Sequence, residues 1–453
     1  MTEKVADSLP RWPIWFAGLL CTTAFLCLAL QTKANTGVGL VEVLSAFVVV
    51  SVASLLLFVG ASRGFVRLGV REVLFFALIF RLVGIWGDPV LEDDHFRYMW
   101  DGWMTLHQGT PYDSPPLEWF DSEVVPEEME HVLDGINYPG VPTVYGPTAQ
   151  LLFAAAAWIA PGSVLPLQIF AALADCLVLL LLARMAHVRW LLLYGWSFLL
   201  VKEFSFTAHI DVVGAGLLLW ALWLRNQDQS GFWVGFLVGV FAAMALGIKA
   251  FAVIALPFLL QFDWRAWVGN CVGIAGLSIP FGFLPAWIPG GLVAMGEGWI
   301  FNAPAYLAAL WVGQEAGVMM VRLIGIISFA SVALWIGWKY LVMPRSNVGQ
   351  LVSVQHYLPG MSWLWCALLL MSPVFNPWYL VWWLPLACLY PSRTAWACSF
   401  AVVLSYVTGL NLNDTTLFAY QQPTWILMIE FTTIGIALWL DWQRPLTRLV
   451  SRA

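Results

Sequence analysis

Side chains able to do chemistry concentrate in one stretch, Leu91-Glu92-Asp93-Asp94-His95-Phe96-Arg97-Tyr98-Met99-Trp100-Asp101-Gly102. It follows directly on an apolar run of membrane-crossing length. A carboxylate at a membrane interface is costly unless it is solvated, paired or used. Read as a helix, 94–104 places Asp94, Arg97, Tyr98 and Asp101 at i, i+3, i+4 and i+7, on one face. An arginine between two aspartates would hold both ionised, and a structural ion pair alone would account for that much. A carboxylate left over on such a face suits general-base work, the removal of a proton from a hydroxyl group.

The stretch opens a long acidic loop, 88–147. This loop holds 13 of the chain's 27 acids against a single basic residue, Arg97, so the formal charge of −6 belongs to one segment and the remainder is net positive. Its middle, 118–134, reads as a solvated face. Its end, Ile136 to Pro147, is rich in turn formers and aromatics and cannot be helical throughout. We read that end as an ordered loop folded back over a site, with Tyr145 in it. Further polar residues recur near the outer ends of later helices: Lys202 and Glu203, His209 and Asp211, Lys249, Asn302, and Asn376-Pro377-Trp378-Tyr379. Singly, each is more often a capping or snorkelling residue than a ligand. Their shared side of the membrane groups them.

The elements that must position these residues are membrane helices. Of the 453 residues 61% are hydrophobic and 11% charged, with a mean hydropathy of +0.79. Apolar runs recur at helix length without period-two alternation, which excludes an ordinary soluble domain and an outer-membrane barrel. The first run, Trp15 to Leu30, lacks a small-residue cleavage site and reads as a retained helix. Positive charge orients the chain. Lys4, Arg11, Arg63, Arg67, Arg71, Arg184, Arg189, Arg225, Arg265, Lys339, Arg345, Arg393, Arg444, Arg448 and Arg452 fall on one side, read as cytoplasmic. Only Lys33, Arg97, Lys202 and Lys249 fall on the other. The reading is an all-α polytopic protein of about 14 transmembrane helices, 12 at the fewest, with both termini cytoplasmic. Residues 1–87 form three helices, 88–163 the extracytoplasmic loop with interfacial helices, and 164–453 the remaining bundle. The run 148–160 is too short for a ~30 Å core and reads as interfacial or re-entrant. The seven cysteines lie in apolar runs, with no CxxC pair and no histidine at metal spacing, and read as packing residues. Many of the 28 tryptophans cluster at run ends as interfacial belts.

At these residues the chain resembles the GT-C superfamily, membrane glycosyltransferases that use polyprenyl-phosphate sugars on the extracytoplasmic side. It is most similar to the bacterial polyprenol-phosphate-mannose-dependent mannosyltransferases. Their first large loop reads D-D-x-Y-R-Y-x-W-D-G, and here it stands as Asp93-Asp94-His95-Phe96-Arg97-Tyr98-Met99-Trp100-Asp101-Gly102. Thr110-Pro111-Tyr112, Asn137-Tyr138-Pro139, Pro142-Thr143-Val144-Tyr145-Gly146-Pro147 and Pro377-Trp378-Tyr379-Leu380-Val381-Trp382 follow the order of later family elements. Thr110 stands where Asn is usual, Gly146 where Pro is, and Asn376 where His often is.

The resemblance implies a GT-C fold and an inverting transfer of a sugar, mannose by likeness, in a bacterial inner membrane with the site on the periplasmic face. It implies Asp94 as catalytic base, with Asp93 the competitor. Lys249, Lys202, His209 and Arg97, then Arg81, are candidates for the leaving phosphate. Tyr98, Trp100, Tyr145 and Trp378 are candidates for sugar or prenyl contacts, and Glu203, Asp211, Asp101, Asn376 and Tyr379 complete the expected site. The expected partners are the lipid-phosphate donor, a glycolipid, polysaccharide or other hydroxyl acceptor, and the bilayer. Nucleic acid is not among them. There is no G-x-G-x-x-G after a strand and no Walker motif. No cofactor is predicted; a divalent cation is compatible with the surplus of carboxylates but is not predicted either. Two other readings remain: a lipid-linked-sugar flippase or secondary transporter, and a polysaccharide polymerase or ligase.

Overall fold

A computed structural model describes residues 9–34, 39–227, 231–292, 294, 299–344, 351–444 and 446. Lys4, Arg345, Arg448 and Arg452, four of the charges that orient the chain, lie outside the described residues, as do both termini. Among the described residues the protein is all-α, and its only β pairing is an isolated parallel bridge between Phe301 and Val374.

Among the described residues five helices are long and apolar enough to cross a membrane: Trp12–Lys33, Leu40–Ser62, Leu165–Met185, Pro304–Val342 and Thr424–Gln443. A sixth arises if Phe198–Phe206 and Asp211–Arg225 count as one broken span. Their outward faces carry Leu19, Val41, Leu56, Trp311 and Met428, all more than half exposed. Water would not tolerate so continuous an apolar surface, whereas lipid does. Several long apolar helices of this kind make a multi-pass membrane protein.

Among the described residues the other apolar runs do not form single long helices, for a local physical reason. Pro, Gly and Ser interrupt them. The run through 188–206 breaks into Val188–Gly195, Phe198–Val201 and a π-helical turn Lys202–Phe206 around Trp196-Ser197. The run through 377–406 breaks into a 3-10 turn Pro377–Trp382 and the short helices Leu384–Leu389 and Arg393–Ala401, the latter running on into a second 3-10 turn, Val402–Tyr406. A proline removes an N–H and clashes with the preceding turn, so an apolar run containing one need not be one helix.

The chain divides into two compact units. One comprises residues 1–92, 168–208 and 376–453; the other comprises 93–167 and 209–375. In the first, Arg81 and Asp175 meet in the interior, with Arg81 Nη2 and Nε donating to Asp175 Oδ2 at 2.7 and 2.9 Å. Tyr194 Oη donates to the other carboxylate oxygen at 2.7 Å, and Arg81 Nη1 also donates to the carbonyls of Ala77 and Gly195. The two charges inside apolar helices thus satisfy one another, the condition under which such burial is tolerated.

In the second unit, helix Asp94–His107 packs along helix Pro147–Ile159. Gly102 permits this, because a Cβ there would collide with the carbonyl of Phe153. Gly102→Ala is expected to cost about 1–3 kcal/mol by overpacking, read as a lowered midpoint in thermal unfolding of the purified protein. The start of the Pro147–Ile159 helix is fixed elsewhere. The amides of Thr148 and Ala149 donate to the carbonyl of Gly247 at 3.0 and 3.2 Å, and a Cβ on Gly247 would strike Thr148 Oγ1. That contact sets the position of Lys249, two residues on.

Candidate active site

The helix expected over 94–104 runs Asp94–His107, with Asp93 at its N-cap position. Arg97 turns toward Asp101: Nε donates to Asp101 Oδ1 at 2.9 Å and Nη1 to the Val141 carbonyl at 2.9 Å. The ion pair that the spacing offered to both aspartates is made with Asp101, and Asp94 is released to other partners. Asp101 is 1% exposed. It also accepts from Thr143 Oγ1 and from Gln150 Nε2, the latter at 3.0 Å. Arg97, Asp101, Thr143 and Gln150 thereby bind the 136–147 loop to the motif helix.

Asp94 looks the other way. His209 Nε2 lies 3.5 Å from Asp94 Oδ2, and Tyr98 Oη donates to the same oxygen at 3.4 Å. The His209 side chain is 0% exposed and that of Asp94 30%, so the carboxylate is the member of the pair open to solvent. Burial works against ionising Asp94. The hydrogen bond from His209, and the charges of His209, Lys249 and His95, outweigh it and hold the carboxyl below its ordinary value. Tyr98 is wholly buried, stacked on Phe153 at 4.7 Å and edge-on to Tyr145 at 5.2 Å. Burial first, then its neighbours Tyr145, Asp94 and Asp211, push its hydroxyl well above the usual tyrosine value, so it stays a neutral donor.

Lys249 Nζ grips Asp211 at 3.0 and 3.1 Å and lies 6.0 Å from the Tyr145 ring centre and 5.6 Å from that of Phe251. Asp211 opens helix Asp211–Arg225 and Lys249 precedes the 3-10 turn Ala250–Ala255. Beside them opens an apolar cleft of about 190 Å³, lined by Val144, Gly146, Leu246, Ala250, Phe283 and Trp287 among others. In the chain, Val144 and Gly146 flank Tyr145 and Ala250 follows Lys249; Tyr145 and Lys249 themselves do not line the cleft.

Asp93 behaves differently from its neighbour. Burial and then the charge of Asp94 raise its carboxyl to about 6, against smaller lowering from its own backbone, Asn137 and His209. A carboxyl whose folded value is raised stabilises the fold below its unfolded value near 4, and that stability is lost as pH rises through 6. Asp93→Asn keeps the shape without the charge. It is expected to raise the unfolding midpoint at pH 8 by the equivalent of ~1–2 kcal/mol, once solvent screening is allowed for. The gain should vanish at pH 4, which a thermal scan at both values checks.

Four of the eight described non-glycine residues with positive φ stand on or beside these segments in the chain. Leu91, Tyr138, Ala208 and Asn302 are non-glycine residues at φ of +60°, +54°, +64° and +51°. They stand two residues before Asp93, next to Asn137, next to His209 and three residues after Trp299. Such conformations cost energy and persist where the surroundings hold them, often at functional sites.

Of the residues expected from sequence, Asp93, Asp94, Arg97, Tyr98, Trp100, Asp101, Tyr145, His209, Asp211 and Lys249 belong to the second unit. Asp94, Tyr98, Tyr145, His209, Asp211 and Lys249 come together there. Arg97 and Asp101 form the separate knot just described. Trp100 is 1% exposed and stacked on Trp103 at 5.2 Å, so its faces are occupied by protein. Lys202, Glu203, Asn376, Trp378 and Tyr379 belong to the first unit. There Lys202, fully buried on the π-turn, reaches Glu203 at 3.2 Å, Tyr406 Oη at 3.0 Å and Glu92 at 4.0 Å. Trp378 and Tyr379 are 6% exposed on the 3-10 turn that Asn376 precedes.

Sequence reasoning passed over Gln150, Phe153, Asn137 and Gly247 as site residues. Gln150 carried a signal: apart from Thr148 it is the only polar side chain in the apolar run 148–160. Among the described residues no group of three His, Cys, Asp or Glu side chains is set to hold a metal ion. Comparison of the chain with family models, with curated proteins and with solved structures gives no match.

Proposed function

We propose that this chain is a membrane glycosyltransferase that takes a sugar from a polyprenyl-phosphate donor and passes it to an acceptor hydroxyl. The observation that carries the reading is the half-open Asp94 carboxylate. It is backed by buried His209, held by Tyr98 and within the field of a lysine beside an apolar cleft. In the reaction Asp94 accepts the proton of the acceptor hydroxyl. The acceptor oxygen bonds to the anomeric carbon from the face opposite the donor. The carbon–oxygen bond to phosphate breaks, and the prenyl phosphate leaves with the electron pair, so the anomeric centre inverts. A phosphate leaving group needs no protonation, so one carboxylate suffices where a glycoside hydrolase uses two. Lys249, oriented by Asp211, steadies the phosphate. The cleft, smaller than the ~300 Å³ of a whole-ligand pocket, accepts only the first part of a prenyl chain.

Asp94 serves better than Asp93 as base because it is ionised throughout the neutral range, faces His209 and is open to substrate. In this reading the chain adopts a GT-C fold of about fourteen crossings, with the broken helices of the centre paired into spans. It sits in the bacterial inner membrane with the loop 88–147 on the periplasmic side. The sugar is mannose by resemblance. The test is purified full-length protein in nanodiscs with radiolabelled polyprenyl-phosphate mannose and a membrane extract as acceptor. Label transfer or donor cleavage is the expected result. Inertness toward that donor and toward the glucose and arabinose analogues would overturn the reading.

A further inference from the structure

Around Asp93 stands a cluster that the transfer step leaves unused. Tyr138 is 42% exposed, one of the more open aromatic rings of the loop. It lies edge-on to Trp299 with ring centres 5.0 Å apart, and its hydroxyl accepts a hydrogen bond from the Trp299 side chain. Asn137 hydrogen-bonds Asp93, whose charge in turn reaches Tyr138, Asp94 and His209.

Both rings are held rigidly. Tyr138 sits at φ +54° in a turn closed by the Val141 amide on the Tyr138 carbonyl at 3.0 Å. That turn is tied to the neighbouring 3-10 turn by the Leu117 amide on the Pro139 carbonyl at 2.9 Å. Trp299 enters from a distant part of the chain. Its segment is pinned two residues on, where the Phe301 amide donates to the Pro373 carbonyl and the Phe375 amide donates to the Phe301 carbonyl, both at 3.0 Å.

We propose that Tyr138, Trp299, Asn137 and Asp93 form a binding subsite for a pyranose ring of the acceptor, which makes that acceptor a carbohydrate or glycolipid. A pyranose has one face of C–H groups and a rim of hydroxyls. Two fixed aromatic rings offer the first a surface, and an amide with a carboxylate offers the second its hydrogen bonds. A simple lipid anchor would use the rings but not Asn137 and Asp93. Asp94, the group that would take a hydroxyl proton, is the residue next to Asp93. The assignment of an acceptor rests on the glycosyl-transfer reading; the binding of a sugar ring does not.

The experiment is saturation-transfer NMR on the full-length protein in nanodiscs, with methyl α-D-mannopyranoside and a mannobiose as probes and empty nanodiscs as background. Wild type should saturate the sugar ring protons above background. Tyr138→Ala and Trp299→Ala should lose at least five-fold of that signal, and Tyr138→Phe should retain it, which separates loss of the platform from loss of the fold. No signal in wild type overturns the subsite, as do equal signals in wild type and both alanine variants. Donor turnover measured on the same samples separates the two ideas. A protein that binds sugar through this platform but never cleaves the donor keeps the subsite and loses the transferase reading. One that cleaves the donor with binding indifferent to Tyr138 and Trp299 does the reverse.

Discussion

Asp94→Asn is expected to lower sugar transfer by about 10²–10⁴-fold, the usual contribution of a positioned general base, while the protein folds and inserts normally. Asparagine is isosteric and still meets His209 and Tyr98, so the local packing around Asp94 Oδ2 survives. What disappears is the capacity to take a proton. The contrast is Asp93→Asn, which should weaken acceptor binding and so raise the acceptor KM, while kcat at saturating acceptor stays near that of wild type. A second discriminator is the pH profile. Asp94 is held below the ordinary carboxylate value, so a base at Asp94 gives a rate flat from neutral pH down past 6. A base at Asp93 would give an acid limb near 6. Initial rates between pH 4.5 and 8, at saturating donor and acceptor, separate the two. Full activity in Asp94→Asn, or a limb at 6 that disappears in Asp93→Asn, would move the role to Asp93.

How much of this was legible beforehand depends on the range of the interactions. The helix from Asp94 was readable because its charged and aromatic face repeats at i, i+3, i+4 and i+7, a local property. The membrane class was readable from hydropathy. Which apolar runs stay single helices was not, because hydropathy is blind to Ser197, Pro257 or Pro385, which break an apolar run without making it polar. The site was legible as a set of residue types and illegible as a set of pairs. Nothing local says that Arg97 takes Asp101 and leaves Asp94 to a histidine 115 positions later. Nor does anything local say that Lys249 arrives already paired with Asp211. Those pairings are tertiary. They turn on contacts such as the Gly247 carbonyl at the start of the Pro147–Ile159 helix, for which a lone glycine in an apolar run gives no warning.

Asp101→Ala is expected to be the most destabilising single change in the loop, by ~3–5 kcal/mol, the cost of leaving a partly buried charge without its counter-ion. The Arg97 side chain is only 12% exposed, and apart from Asp101 its hydrogen bonding is confined to the Val141 carbonyl. Thr143 and Gln150, which also donate to Asp101, would retain the 2.9 Å bond between themselves and the Tyr145 amide on Thr143 Oγ1. The damage passes to the site through the chain. Thr143 Oγ1 accepts from the Tyr145 amide at 3.3 Å, Tyr145 packs on Tyr98, and Tyr98 holds Asp94. Activity should therefore fall along with the unfolding midpoint, and limited proteolysis should begin near Val141–Tyr145. A double substitution tells the ion pair apart from the packing. Arg97→Met combined with Asp101→Leu removes both charges and keeps the volume. Because a buried ion pair gains little over apolar residues of similar size, the double variant should recover most of the lost stability. It should not recover full activity, since the loop bonds through Thr143 and Val141 remain broken. Recovery of neither would mean that Asp101 stabilises the loop through Thr143 and Gln150 rather than by neutralising Arg97.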